Sequence, residues 1–249
     1  MDKYLKIGER LDDLNIGGLK IIQNPRKFCF GIDAVMLANF ATVKKGDRVV
    51  DLGTGTGIIP IILAGKTKAS SIIGIEIQEE MVEMAARSVA MNGLENRVSI
   101  YSGDLKEVTS FVPEGTADLV VSNPPYIDDG HGLVNPDSSK AVARHEIMCT
   151  LGDIIASAGK VLKNGGRLAL IHRSGRMVDV LLGMREEGIE PKRLRMVHSR
   201  ADRESNLFLV EGLKGGGKFL KVSKPLVIYD GEGEYTEEIH RIYYEGERM

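Results

Sequence analysis

Asn123-Pro124-Pro125-Tyr126 follows directly on Asp118-Leu119-Val120-Val121, a stretch that reads as a buried strand. Adjacent prolines fix φ and carry no N–H, so they stiffen a turn and leave its carbonyls free. A plain rigid surface turn would use the same residues, and what lies upstream decides between the two. Upstream, Asp51-Leu52-Gly53-Thr54-Gly55-Thr56-Gly57 joins a first strand to a helix. Glycines there allow a tight turn and close approach of backbone to a ligand. Glu76 ends the second strand, where a carboxylate can accept hydrogen bonds from both hydroxyls of a ribose. Gly103-Asp104 ends the third, where a carboxylate can meet an adenine amino group; as an alternative, Asp104 is simply the N-cap of the next helix. All four features fall at the carboxyl ends of successive strands, the edge on which open α/β sheets bind ligands.

The elements that must position these residues are legible as alternating patterns. β-Branched and apolar runs predict strands at Arg48–Leu52, Ser71–Ile75, Arg97–Tyr101, Asp118–Ser122, Arg167–Ile171, Arg193–His198 and Asn206–Glu211. Helices are expected over Ile58–Ala64, Gln78–Met91, Ile147–Leu162 and about Gly175–Glu187, with Asn164-Gly165-Gly166 as a stop signal for the third. Alternation of this kind implies a parallel sheet with helices on both faces. The last two strands have no helix between them, so they form an antiparallel pair at the sheet edge. Pro225–Tyr229 suggests a further small strand that could pair with Leu19–Ile22.

Composition excludes several classes. No apolar run approaches the roughly 20 residues of a membrane span, and the charged start Met1–Arg10 has no signal-peptide core. Cys29 and Cys149 are isolated, which fits a reducing, cytoplasmic setting. The five histidines show no HxxxH or HExxH spacing, so no metal site is expected. Net charge is −2, yet Lys160–Lys224 holds 15 basic and 7 acidic residues, a segregation that can put a basic face on an acidic protein. The Gly-x-Gly-x-x-Gly pattern of nicotinamide binding fails because Ile58 stands where its third glycine belongs.

As an ordered set, the glycine loop, Glu76, Asp104 and Asn123-Pro124-Pro125-Tyr126 resemble the motifs of class I S-adenosylmethionine-dependent methyltransferases that act on amino groups. The resemblance implies a Rossmann-like α/β fold with a seven-stranded, mostly parallel sheet and an antiparallel last strand. Residues 1–45 would be an N-terminal extension with a cofactor-side motif, 46–212 the methyltransferase domain, and 213–249 a C-terminal extension packing on it. It also implies a chemistry. An exocyclic amine is a poor nucleophile because its lone pair is delocalised into the ring. Asn123 Oδ1 and the Pro124 carbonyl would hold its hydrogens and turn the lone pair to the sulfonium methyl. Tyr126 would stack on the base, and Pro125 would stiffen the turn. Transfer then works by positioning, without a strong base.

Phe28-Cys29-Phe30-Gly31-Ile32-Asp33-Ala34, where Asp33 also suits a helix N-cap, and the segment Val197–Asn206 are similar to motifs of the valine-tRNA (adenine-37 N6)-methyltransferases. By that resemblance S-adenosylmethionine is held by Phe30, Gly31, Asp51, Gly53, Gly55, Gly57, Glu76 and Asp104. The partner is tRNA and the expected state a monomer. Arg173, Arg176, His198, Arg200 and Arg203 are candidates for phosphate contacts, although Arg200 and Arg203 could instead pair with Asp202 and Glu204. Lys214, Lys218, Lys221 and Lys224 are either a phosphate-tracking arm or a solvated connection, and 127–144 reads as a lid. The same chemistry on a protein glutamine amide or on guanine in ribosomal RNA is the alternative. A fold that binds the cofactor without catalysis is a third reading.

Overall fold

The computed structural model describes residues 2–27, 29–125 and 149–244. Tyr126 and the 127–144 segment lie outside the described residues, as do Phe28 and the first two residues of the Ile147–Leu162 helix. A hairpin of β1 (Arg10–Asp13) and β2 (Lys20–Gln23) leads to α1 (Ile32–Phe40). Then β3 (Arg48–Leu52), α2 (Ile58–Lys66), β4 (Ser71–Glu76), α3 (Glu79–Met91), β5 (Val98–Ser102) and β6 (Ala117–Ser122) alternate, with a 3-10 turn at Leu105–Ser110 before β6. After residue 149 come α4 (Leu151–Val161), β7 (Leu162–Arg173), α5 (Met177–Glu186), β8 (Ile189–His198) and β9 (Ser205–Lys214). The short β10 (Lys221–Val222) and β11 (Leu226–Val227) precede α6 (Glu237–Tyr244).

The strands β3 to β9 form one sheet in the order β8-β9-β7-β6-β3-β4-β5, with β9 antiparallel to both neighbours and all other pairs parallel. These seven strands follow the arrangement the resemblance implied, and the short β10 and β11 extend the same sheet to nine strands among the described residues. Successive residues point to opposite faces. Val49, Leu119 and Val121 therefore enter the core beneath α1 and α2, while Val50, Leu52 and Val120 enter the core beneath α4 and α5. Helix α2 is apolar all round and every residue from Ile58 to Ala64 is buried. Pro60 is tolerated because the first-turn N–H groups of a helix have no intrahelical acceptor. At the other end Arg97 donates to the carbonyls of Ala64 (2.9 Å), Thr67 (2.9 Å) and Ala69 (3.0 Å).

Two expectations are corrected here. The strand near Pro225 does not pair with Leu19–Ile22. β11 and β10 instead pair in parallel with the open edge of β8, while Lys20–Gln23 is already occupied by β1. Helix α4 ends at Val161, one residue from the expected Leu162, but Asn164-Gly165-Gly166 is not its stop signal, because Leu162 is already extended and registered with Ala117. The glycines fall where the β6–β7 register shifts, with Gly165 at φ +76°, so they absorb a bulge.

The terminal segments are tied to this frame. Backbone N–H groups of Lys20 and Ile22 donate to Asn92 Oδ1 and Ser88 Oγ of the α3 region (3.0 Å each). Glu9 receives both guanidinium nitrogens of Arg87 at 2.7 Å. At the other end, Tyr229, Tyr235 and Tyr243 stack with centroids 5.3 and 5.8 Å apart, and the last two pack on the core beneath α1.

Candidate active site

The carboxyl end of β3 runs into the glycine loop. Gly53 N–H and Thr54 N–H both donate to the Ile75 carbonyl (2.9 and 3.1 Å), which folds the loop over β4. Gly55 (φ +55°) and Gly57 (φ +82°) hold left-handed conformations that a side chain would strain, and a Cβ on Gly57 would stand 3.1 Å from Ala85 Cβ. Gly74 on β4 is bare for a similar reason, since a Cβ there would meet Thr54 at 2.8 Å.

Two carboxylates meet under the loop. Asp51 is fully buried; its Oδ2 accepts from Thr54 Oγ1 at 2.6 Å, and its Oδ1 has no partner among the described residues. Burial pushes its pKa up to about 7, and the negative Glu76 nearby adds to the rise, against the lowering effect of Thr54. Glu76 is itself buried and pinned. Its Oε2 accepts from Gly55 N–H (2.9 Å) and its Oε1 from the N–H groups of Ile77 and Gln78 (3.0 Å each). Thr56 Oγ1 is a second buried polar atom without a partner among the described residues.

Asp104 follows β5 and is the N-cap of the Leu105–Ser110 turn. Its Oδ1 accepts from Lys106 N–H (2.9 Å) and its Oδ2 lies 3.2 Å from Lys106 Nζ. The capping alternative is therefore realised, and it leaves the carboxylate part-exposed at the edge. Gly103 lets Phe111 approach, for a Cβ there would fall 2.2 Å from the ring.

Phe30 and Gly31 reach the edge from the amino-terminal side. Phe30 N–H donates to Gln23 Oε1 (2.9 Å), and buried Gln23 is anchored through Nε2 to Asp12 (2.9 Å). Gly31, not Asp33, is the N-cap of α1. Asp33 is already helical, and its Oδ1 accepts from Ala34 N–H (2.9 Å).

Beyond β6, Ser122 Oγ donates to the Leu52 carbonyl (2.7 Å), which ties the end of β6 to the glycine loop. Asn123 is half-buried, Pro124 buried and Pro125 exposed. The chain is next described at Cys149, close enough to Asp104 to feel its charge, with its thiol pushed up to about 12 mainly by burial. Glycine loop, Glu76, Asp104 and Asn123 thus line one sheet edge, on β3, β4, β5 and β6 in turn.

Residues 30–186 match the model of the methyltransferase small domain family. The chain belongs to this family. Curated relatives named tRNA1(Val) (adenine(37)-N6)-methyltransferase include one from Parabacteroides distasonis, 31% identical over 73% of this chain and 75% of that protein. Another, from Aeromonas salmonicida, is 28% identical over 83% of this chain and 85% of that protein. Among solved structures, a predicted O-methyltransferase from Agrobacterium tumefaciens superposes with a TM-score of 0.69 at 23% identity, covering 86% of this chain and 96% of that one. That likeness carries the fold.

The basic candidates of this methyltransferase lie on the same edge, outward from Asn123. Arg173 is exposed at the end of β7, and Arg176 Nε is held by Asp179 (2.5 Å). His198 Nδ1 donates to the Arg203 carbonyl (2.7 Å), so it shapes the 199–204 loop. Arg200 reaches the Gly231 carbonyl (3.4 Å), and among the described residues neither Arg200 nor Arg203 pairs with Asp202 or Glu204. Lys214 is no arm. Its Nζ donates to the Leu162 carbonyl (2.9 Å) and to that of Gly159, closing the end of α4. Lys221 sits in β10 and is not part of a loose connection.

The sequence reading passed over Thr54, Thr56, Ser122 and Gly74. A hydroxyl between loop glycines was the available signal for the first two. Nothing in the spacing marked the others, which act across strands.

Proposed function

We propose that this chain transfers the methyl group of S-adenosylmethionine to N6 of an adenine in tRNA, as its curated relatives' names describe for them. The observation that carries the reading is the convergence of glycine loop, Glu76, Asp104 and Asn123-Pro124 on one edge. The residues present fit the cofactor. The unpartnered Asp51 Oδ1 and Thr56 Oγ1 are buried acceptors beside the loop, suited to a cationic amino-acid group. Glu76, held in place by three backbone N–H groups, keeps lone pairs for ribose hydroxyls, and Asp104 stands for the adenine amine. Gly53, Gly55 and Gly57 give the methionine part backbone access, with Phe30 and Gly31 covering it. The cofactor supplies an electrophilic methyl; the chain orients the acceptor. Asn123 Oδ1 and the Pro124 carbonyl would accept hydrogen bonds from the two amine hydrogens, Tyr126 would stack on the base, and the one proton displaced by the methyl group would pass to water.

The line of Arg173, Arg200 and Arg203 beyond Asn123 favours RNA over a protein glutamine amide. The free thiols of Cys29 and Cys149 support a reducing, cytoplasmic setting. The test is transfer of labelled methyl to purified tRNA, ribosomal RNA and protein in parallel, followed by nucleoside and amino-acid analysis. Label in N6-methyladenosine of a valine tRNA is expected; label in methylguanine or methylglutamine would move the substrate and keep the chemistry.

A further inference from the structure

A second site lies on the outer flank of the sheet. A cavity of roughly 690 Å³ opens between α1, β8, β10 and α6, and Arg193, Arg195, Lys221, Lys224, Glu238 and Arg241 line it. It belongs to neither the glycine loop nor Asn123, since β8 stands four strands from β3. Two of its cations are committed. Arg193 lies over the Phe40 ring (4.1 Å) and 3.6 Å from Glu211, and Arg195 binds Glu238 at 2.7 Å. Lys221, Lys224 and Arg241 are exposed, and among the described residues none of them forms an ion pair. Glu238 is the one carboxylate of the lining among the described residues. Arg195, Lys224 and Arg241 together hold it below the usual carboxylate range. No Asp or Glu occurs from Gly212 to Tyr229, while four lysines do. The flank is therefore cationic in excess by three side chains, against a chain whose net charge is −2.

The registered pairs give its distance from the chemistry. Lys221 pairs with Arg193, Arg193 with Glu211, Glu211 with Ala169, and Ala169 with Val121. Four strand spacings of about 4.8 Å place Lys221 about 19 Å from β6, on the same rung as Val121 and two residues short of Asn123. A polyanion strand whose base lies at Asn123 and whose backbone passes Arg173 and the 199–204 loop heads toward this flank. Beside it Phe219 exposes 76% of its surface at φ +128°, a conformation costly for a side-chain-bearing residue, and Val222 exposes 62%. Flat apolar surface among lysines suits sugars and bases between phosphates.

We propose that this cleft seats phosphodiester groups of the tRNA substrate several nucleotides from the target adenine, with Lys221, Lys224 and Arg241 as the ion-pairing groups. The proposal rests on the reading that the chain methylates tRNA. It makes the C-terminal segment part of substrate selection: a whole tRNA reaches the cleft and a short loop does not.

The experiment measures KM and kcat for a full tRNA transcript and for a seven-nucleotide loop carrying the same adenine, across a salt series. The proteins compared are wild type, the triple variant Lys221→Ala, Lys224→Ala, Arg241→Ala, and a control triple Lys44→Ala, Lys45→Ala, Lys68→Ala in the loops at the amino ends of β3 and β4. For the cleft variant, KM for full tRNA should rise roughly tenfold or more at physiological salt, and the log–log salt slope should shrink by about 2. Its kcat and its KM for the short loop should stay at wild-type values, and Lys221→Arg with Lys224→Arg should keep the wild-type slope. An unchanged slope for the cleft variant, or an equal loss in the control, would overturn the cleft. If wild type transfers no methyl to tRNA, the substrate reading itself fails, and that outcome is separate.

Discussion

Cofactor affinity should depend on pH through one carboxyl group. Asp51 is fully buried, and its pKa in the unliganded protein is about 7 because burial and the Glu76 charge disfavour its ionised form. A cofactor that brings a cationic group to the unpartnered Oδ1 binds the ionised form. The apparent Kd then exceeds its limiting value by one plus ten to the power of the pKa minus the pH. Between pH 7.5 and pH 5.5 this amounts to about a 25-fold loss of affinity. Near pH 6.5 about 0.8 proton should leave on binding. Titration calorimetry in buffers of different ionisation heat reads both quantities. Asp51→Asn should flatten the pH profile and abolish the proton release while weakening binding at pH 7.5.

Stability should move the other way. The folded pKa of Asp51 lies above its unfolded value, so the protonated group's contribution is full below pH ~3.8 and lost as pH rises through about 7. Unliganded Asp51→Asn should therefore be more stable than wild type at pH 8. A wild-type Kd that is flat over this range, or an Asp51→Asn profile that keeps the slope, would refute the assignment of the buried charge to the cofactor site.

Asn123→Ala should lower kcat by on the order of 10²-fold or more while leaving cofactor Kd within about twofold, because it removes an orienting acceptor and no cofactor contact; single-turnover transfer and a cofactor titration check this. Asp47→Ala should cost about 3–5 kcal/mol of stability, since it strands Arg167, whose Nη2 lies 2.6 Å from Asp47 with both side chains nearly buried; chemical denaturation measures it. His172 is held neutral, its pKa lowered to about 4 chiefly by burial and then by Arg176. Its folded value lies below the unfolded one, so its contribution is present above pH ~6.5 and lost as pH falls toward about 4; His172→Gln should blunt that part of the acid limb in a melting series.

The order of strands and helices was legible because each strand is a short β-branched run and each long helix repeats its apolar positions every three or four residues. The edge that gathers the glycine loop, Glu76, Asp104 and Asn123 was legible because these residues sit next to strand ends, and sequence shows where a strand ends. What escaped depends on partners distant in the chain. Ser122 and Leu52 are 70 positions apart, and their bond exists only because β6 lies beside β3. Lys214 looked like one of a solvated series until the antiparallel return of β9 set it against the end of α4. Leu19–Ile22 and Pro225–Tyr229 both offered apolar strand signals, but an edge accepts whichever strand arrives in register, and local pattern carries no record of that choice.

The proposed cleft would separate substrate selection from chemistry in the same physical terms. On the proposed reading the chemistry needs only the strand-end residues, which this fold gathers at one edge. Recognition of a whole RNA needs charge farther out, and the antiparallel insertion of β9 provides the room. It moves β8 to the outside of the sheet with an open edge, and β10 and β11 dock there and bring Lys221 and Lys224 with them. Helix α6 then supplies Arg241 and the single opposing Glu238. A variant truncated after Glu211 would also lose the last three residues of β9, Gly212 to Lys214, so truncation confounds folding with binding. Charge-removing side-chain substitutions at Lys221, Lys224 and Arg241 leave every strand pair in place. The prediction for them is a selective one: methylation of short loops persists while discrimination in favour of intact tRNA declines.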